Sequence, residues 1–281
     1  MRSCTVFLVS LLAGCSVHPQ TSVDPDAGSE RGTDAGTDVD APSGGDAAVH
    51  TAPISVLVGV DRASAFSTTE AHALKALHNV GWTGVYIGGA CSAGSGWTKA
   101  QVTPLHTAAA WKFMPVYVGQ QSASICGAHD LSATRGHTDG LDAVARMQAF
   151  GWAAHRSIPV ALDLEANSYT SSPAGSQAYV RAWRDAVRGA GYLAYVYSNP
   201  TGINGLYDAG VKLDGAWPAS WFYTSFHAGL KAEDLTQLGT RYTQKNRAWQ
   251  FAGDFAVSGA GSVDGNVCDL VLAPEPGGTN L

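Results

Sequence analysis

Charge is scarce in this chain. Asp, Glu, Lys and Arg make up 14% of its 281 residues, and Lys and Arg together number only 17. The net charge of -6 leaves no basic face of the kind that phosphate backbones require, which excludes a general nucleic-acid binder. No apolar run approaches the roughly 20 residues that a membrane-spanning helix takes. Nine histidines occur without an HExxH or other paired spacing, and five cysteines without a CxxC. A P-loop and a Gly-rich dinucleotide fingerprint are missing as well. No metal and no cofactor is expected. Aromatic residues, by contrast, are ample. Eight Trp, ten Tyr and eight Phe supply a core and exclude wholesale disorder.

What charge there is sits unevenly. Residues 16–52 hold seven acids and one base, whereas residues 53–281 hold sixteen acids and fifteen bases. The acidic stretch is built of Asp, Ala, Gly, Ser, Thr and Pro, too poor in large apolar groups to offset the entropy of ordering. It reads as a flexible, self-repelling tether. Ahead of it, Arg2 precedes a short apolar run, Val6–Ala13, that leads into Leu12-Ala13-Gly14-Cys15. This arrangement resembles a bacterial lipoprotein signal, cut before a cysteine whose thiol takes lipid. The expected organisation is a signal over 1–14, a lipidated Cys15 with a disordered linker over 15–52, and one folded domain over 53–281. By the same resemblance, Ser16 favours the outer membrane or cell surface over the inner membrane.

The folded part alternates between two periodicities. Near-continuous apolar runs end in polar residues at Ser55–Asp61, Gly84–Gly89, Phe113–Gly119, Ile158–Glu165 and Leu193–Ser198. Three more follow at Gly215–Phe222, Arg247–Ala252 and within Ser262–Leu272. Helical periodicity separates the earlier ones, at Thr69–Asn79, Thr98–Ala110, Gly140–His155, Gln177–Gly189 and Ile203–Asp208. Strands without alternation mean a parallel sheet covered on both faces. Eight of them over this length fit a single (β/α)8 TIM barrel, with a doubly wound open sheet as the alternative.

A barrel gathers its chemistry at the C-terminal ends of its strands. Asp61 ends the first strand; Asp163 and Glu165 end the fourth and share one side of it. Asp264 lies near the eighth, which closes beside the first. Four converging carboxylates suit glycoside hydrolysis, in which one carboxyl donates a proton and another steadies the positive charge that develops. Strand-end acids also cap helices or pair with arginines, and Arg62 directly follows Asp61.

GVD in strand one, YIGG in two, PVYVG in three, DLEAN in four, YVYS in five, WPASW in six, WQF in seven and VDGN near the end occur in one order. In that order and spacing the chain, from about Val56 to Leu272, resembles the glycoside-hydrolase-like barrels of domain-of-unknown-function family 1906. It is similar, more distantly, to family 25 (Chalaropsis-type) lysozymes. The lysozyme resemblance implies that Glu165 is the general acid and that Asp163 assists an N-acetyl group or an oxocarbenium-like centre. It implies that Asp61 and Asp264 complete the acidic ring, with Asp269 an alternative to Asp264.

Tyr86, Tyr117, Tyr197, Trp217, Trp221 and Trp249 lie on or beside strands, where rings stack on sugars or pack in a core. Tyr117 and Trp221 sit nearest strand ends, and Asn167 and Gln250 offer hydrogen bonds to hydroxyl or acetamido groups. Cys91 and Cys126 follow neighbouring strands, so a disulfide between them is expected in an exported protein, with Cys268 left buried. Two functions from different classes fit. One is a lipid-anchored, monomeric glycosidase acting on an envelope polysaccharide, peptidoglycan first. The other is a catalytically silent barrel that binds glycan.

Overall fold

The computed structural model describes residues 56–92, 96–123, 126–155, 157–226, 241–242, 247–269 and 271–278, without the side chains of 166 and 167. The signal, the linker and Cys15 lie outside the described residues.

Eight strands form one sheet: β1 (Leu57–Asp61), β2 (Trp82–Gly89), β3 (Lys112–Val118), β4 (Pro159–Asp163), β5 (Leu193–Ser198), β6 (Gly215–Pro218), β7 (Ala248–Val257) and β8 (Gly261–Cys268). Their spatial order is β6-β5-β4-β3-β2-β1-β8-β7. The parallel bridges Ala216–Arg247 and Ala219–Gln250 bring β6 to β7, so the sheet nearly closes into a barrel. One strand departs from the expected all-parallel ring. β8 runs antiparallel to both β1 and β7, with which it forms a hairpin. The last two strands lack the long crossover that a parallel connection needs: only residues 258–260 separate them.

Strand alternation sorts the side chains into two layers. Trp82, Met114, Val116, Ala161, Tyr195, Trp217, Ala248 and Cys268 form a cluster inside the barrel. Trp82 and Trp217, from strands that are not neighbours, meet edge to face across it with ring centroids 5.4 Å apart. The alternate positions, among them Val85, Phe113, Tyr117, Leu162 and Val196, pack against the helices in a larger outer core. Gly59 is required by this filling, because a Cβ there would fall within the Trp82 indole.

Six helices are described: α1 (Thr68–His78), α2 (Lys99–Ala109), α3 (Ala133–Phe150), α4 (Ala166–Ser171), α5 (Pro173–Gly189) and α6 (Pro200–Asp208). Ser67 and Glu70 form a capping box on α1, and Ser132 caps α3 by accepting from the Arg135 N–H. Helix α3 starts seven residues before the expected Gly140 and stops at Gly151, whose φ of 93° ends it. Gly136 and Gly140 each lie against the α5 backbone, where a Cβ would collide with Tyr179 or Trp183. Leu141 is exposed, and Gly140, Val144, Met147 and Phe150 carry the buried face.

Cys91 and Cys126 are bridged, with Cα atoms 6.0 Å apart. The bridge ties the loop after β2 to the loop after β3, and Cys268 is a buried thiol inside the barrel. Closing a loop of 35 residues contributes about 3–4 kcal/mol by restricting the unfolded chain. Cys91→Ser with Cys126→Ser is expected to lower the urea midpoint accordingly. An unchanged midpoint would mean that the bridge adds no stability.

Candidate active site

The C-terminal ends of the parallel strands open on a cleft of about 360 Å³. Its walls include Arg62, Tyr86, Asp163, Glu165, Tyr197, Trp221, Asp254 and Asp264. Asp61 lies directly behind this surface, 1% exposed. Asp264 pairs in register with Asp61 across the β1–β8 ladder. It reaches the mouth because β8 is reversed, which turns the first half of that strand toward the cleft. Asp269, past the other end of β8, is held by Arg247 at 2.8 Å and takes no part in the cleft.

Asp61 is fixed from three sides. The Tyr86 hydroxyl donates to its Oδ1 at 2.8 Å, and the Asn266 and Gln250 amides donate to its Oδ2 at 2.7 and 3.2 Å. Gln250 has no freedom to flip: its Oε1 accepts from Tyr197 Oη at 2.9 Å and from Trp221 Nε1 at 2.8 Å. Asn266 is oriented likewise by Trp217 Nε1, which donates to its Oδ1. Gly84 leaves the space for Asp61, since a Cβ there would stand 2.8 Å from the Asp61 Cβ. Arg62 turns away. Its guanidinium donates to Glu70 and to the carbonyls of Ser64, Ala65 and Ala260. Among the described residues, no arginine therefore neutralises Asp61, Asp163 or Asp264.

This arrangement holds protons. Burial raises the Asp61 carboxyl above the ordinary range, against the pull of its three hydrogen bonds. Burial raises Asp163 much further, aided by the charges of Glu165 and Asp61. Asp163 Oδ1 is sealed from solvent without a hydrogen-bond partner among the described residues. Asp264 is pushed up to about 7 by burial and by Asp61, although it accepts the Asp254 N–H at 2.6 Å. Burial and the surrounding carboxylates push the Tyr86 and Tyr197 phenols far up as well, so both stay donors. Glu165 is exposed at the rim, one step beyond Asp163.

The aromatic candidates divide by strand parity. Tyr86, Tyr197 and Trp221 line the cleft, and Trp221 is 63% exposed. Tyr117 is not brought to it. It points outward from β3, is 1% exposed, and donates to Asp142 of α3 at 3.0 Å. Its neighbour Val116 is the one that faces inward. Trp217 forms part of the barrel filling, and Trp249 is buried on the outer side. The Asn167 side chain lies outside the described residues.

The family model that matches residues 72–269 describes a Rv2525c-like, glycoside hydrolase-like domain. The chain belongs to this family. Similar solved structures include the Mycobacterium tuberculosis Tat-secreted protein Rv2525c, 18% identical, at a TM-score of 0.52 over 78% of this chain and 98% of that one. The catalytic domain of endolysin ply40, from bacteriophage P40 of Listeria monocytogenes, is 14% identical with a TM-score of 0.52, covering 76% of this chain and 93% of its own. GHIP, a glycosyl hydrolase 25 of Streptococcus pneumoniae, is 12% identical with a TM-score of 0.50 over 75% of this chain and 86% of that one. At such identities the likeness is one of fold. No curated protein matches the chain.

Three residues of the glycoside hydrolase-like site carry no sequence signal strong enough to single them out. Asn266 shares the inward face of β8 with Asp264, a period-two relation visible once the strand is placed. Gln121 follows β3 and is buried. Its Nε2 donates to the Asp163 carbonyl at 2.9 Å, and its Oε1 accepts the Glu165 N–H at 2.8 Å, pinning the segment that bears both acids. Asp254 arises from the irregular half of β7, where two register shifts and a φ of 50° lift it to the rim.

The raised Asp264 carboxyl has a consequence for stability. Between its ordinary value of 3.8 and its folded value near 7, the fold holds a proton that the unfolded chain releases. Stability from this group is therefore present below about pH 4 and is lost as pH rises to about 7. Asp264→Asn removes that loss. Its Tm relative to wild type is expected to be higher at pH 8 than at pH 4 by about 2–6 °C. Scanning calorimetry at both pH values checks this, and an equal shift at each would contradict it.

Proposed function

We propose that the protein is a lipid-anchored glycoside hydrolase that cleaves glycosidic bonds in an envelope polysaccharide, with peptidoglycan the leading substrate. The observation that carries this reading is the convergence of Asp61, Asp163, Glu165 and Asp264 on one cleft. Family membership and a fold shared with an endolysin catalytic domain and a glycosyl hydrolase 25 support it.

The chemistry follows from the burial gradient. Mutual repulsion keeps fewer than the full set of charges on the acids at neutral pH. Glu165, at the open rim, is placed to approach a leaving-group oxygen and is assigned the proton donor. Burial and the neighbouring acids disfavour the Asp163 carboxylate in the empty cleft, and positive charge developing at the anomeric carbon favours that carboxylate and is stabilised by it. The stabilisation is then larger in the transition state than in the ground state, as catalysis requires. Trp221 offers an exposed indole face for a pyranose ring, and Tyr86, Tyr197 and Gln250 hold the acids in place.

Glu165→Gln keeps the shape of the rim but has no proton to donate. Turnover on purified peptidoglycan, read as reducing-end release, is expected to fall by about two to four orders of magnitude with glycan binding retained. Wild-type activity should fall on the alkaline side as the cluster loses its protons. If Glu165→Gln works as fast as wild type, the mechanism is wrong. If neither protein cleaves any glycan yet both bind one, the barrel is a glycan-binding module.

The anchor is tested separately. Cys15 is proposed as the first residue of the mature chain, lipidated and held at the outer membrane or cell surface by the 16–52 tether. Cys15→Ala is expected to lose radiolabelled palmitate and to leave the membrane fraction. Retention of both would remove the anchor.

A further inference from the structure

Strand β4 ends at Asp163, which is paired with Val118, the last residue of β3. Glu165 lies beyond that ladder, where no strand backbone fixes it. Gln121 takes over. Its Nε2 donates to the Asp163 carbonyl at 2.9 Å, and its Oε1 accepts the Glu165 N–H at 2.8 Å. A peptide group on a parallel neighbour bonds residues two apart in the same way. The side-chain amide thus stands in for one more step of β3 after that backbone has turned away. Ser168, fully buried, donates from Oγ to the same Oε1 at 3.1 Å. The Gly119 N–H adds a second bond to the Asp163 carbonyl at 3.0 Å.

Gln121 is itself held from behind. It is 1% exposed, and its N–H donates to the Ala128 carbonyl at 2.9 Å. The Ala128 N–H donates in turn to Sγ of Cys126, which is bridged to Cys91 in the loop after β2. The Cys91 N–H donates to the Val118 carbonyl, so the bridged pair also reaches the end of β3. Gln120, the residue before, anchors elsewhere. Its Nε2 donates to Asp139 of α3 at 2.9 Å, and its Oε1 accepts the Asp130 N–H. One glutamine ties this loop to α3, the next ties it to the acids, and the disulfide fastens it to the neighbouring loop.

Resting on the glycan-cleaving reading, we propose that Gln121 is a positioning residue for Asp163 and Glu165, and that the Cys91–Cys126 bridge acts on the two acids through it. The bridge fixes the main chain of Gln121, and the Gln121 amide fixes the backbone that carries Glu165 over the cleft. A displacement of about 1 Å in a reacting group lowers turnover by up to about 100-fold. The disulfide therefore has a second role beside its restraint of the unfolded chain.

The test compares full-length protein in detergent as wild type, Gln121→Met, Cys91→Ser with Cys126→Ser, and all three substitutions together. Methionine fills the space of glutamine but offers neither bond. Gln121→Asn, whose amide is one methylene short of both partners, serves where the methionine form does not fold. Each form is kept below its unfolding range, checked by circular dichroism. Amide hydrogen exchange, read residue by residue by NMR, is the first measurement. In Gln121→Met and in the serine pair, the Glu165 N–H is expected to exchange about tenfold or more faster relative to the Leu164 N–H. Leu164 bonds the Tyr197 carbonyl instead, so a general loss of stability speeds both amides alike. The combined form should lie within about twofold of Gln121→Met in that ratio, because the bridge has lost its intermediary. On purified peptidoglycan, kcat is expected to fall about 10–100-fold in each variant, with KM within about threefold. Equal acceleration of both amides in Gln121→Met would overturn the proposal. So would a serine pair that matches wild type at Glu165, additive effects in the combined form, or an unchanged kcat in an active enzyme. Selective release of Glu165 in forms that all cleave nothing keeps the positioning and removes the hydrolase.

Discussion

The antiparallel pairing of β8 with β1 puts Asp264 straight across from Asp61, and the mouth of the barrel is arranged around that juxtaposition. Two carboxylates facing each other in a buried ladder repel strongly, and a third, Asp163, stands close enough to be raised by Asp61. The fold relieves the repulsion with neutral donors. Tyr86, Asn266 and Gln250 bind Asp61, while Gln250 and the Asp254 N–H bind Asp264. Neutral donors reduce the cost of a charge without cancelling it. The acids consequently retain affinity for protons and for any positive charge brought to them.

The same donors depend on the barrel filling. Trp217 packs against Trp82 and Tyr197 and also donates the hydrogen bond that orients Asn266. A side chain that looks like core by burial therefore sets the direction of a group that touches the site. Tyr197 has the same double part, with its ring against Trp217 and its hydroxyl on Gln250. Interior packing and site geometry are in this sense one set of contacts, and truncating Trp217 would disturb both.

Much of this was legible in the residues, and what was not has physical reasons. Apolar runs ending in Asp61 and in Asp163-Leu164-Glu165 marked strand ends, because an acid closing a buried run needs solvent or a site. The direction of β8 was not legible, because a period-two pattern reads the same both ways along a strand. The inward face of β3 was hidden for a related reason: FMPVYV is apolar at every position, so nothing told Val116 from Tyr117. Asp269 stayed open as the alternative to Asp264 until the structure showed Arg247 neutralising it. The early start of α3 was not legible because Gly136, a poor helix former, lies in its first turns, where its small size serves the close approach of α5. Gln121 acts through its amide on the backbone of a distant segment, a relation that no local pattern encodes.

The reversed strand also decides where the chain leaves the barrel. β1 begins at the pole away from the cleft, and β8 ends there, with Cys268 beside Leu57. The chain after it stays at that pole, where Ala273 bridges to Phe113 and the Gly277 N–H donates to Gly151. Both described ends of the domain thus exit from one side, and the loops that shape the cleft belong to the other. Loop sequences at the mouth can be exchanged without moving either terminus, and added sequence at either terminus need not cross the path of a polymer lying in the cleft.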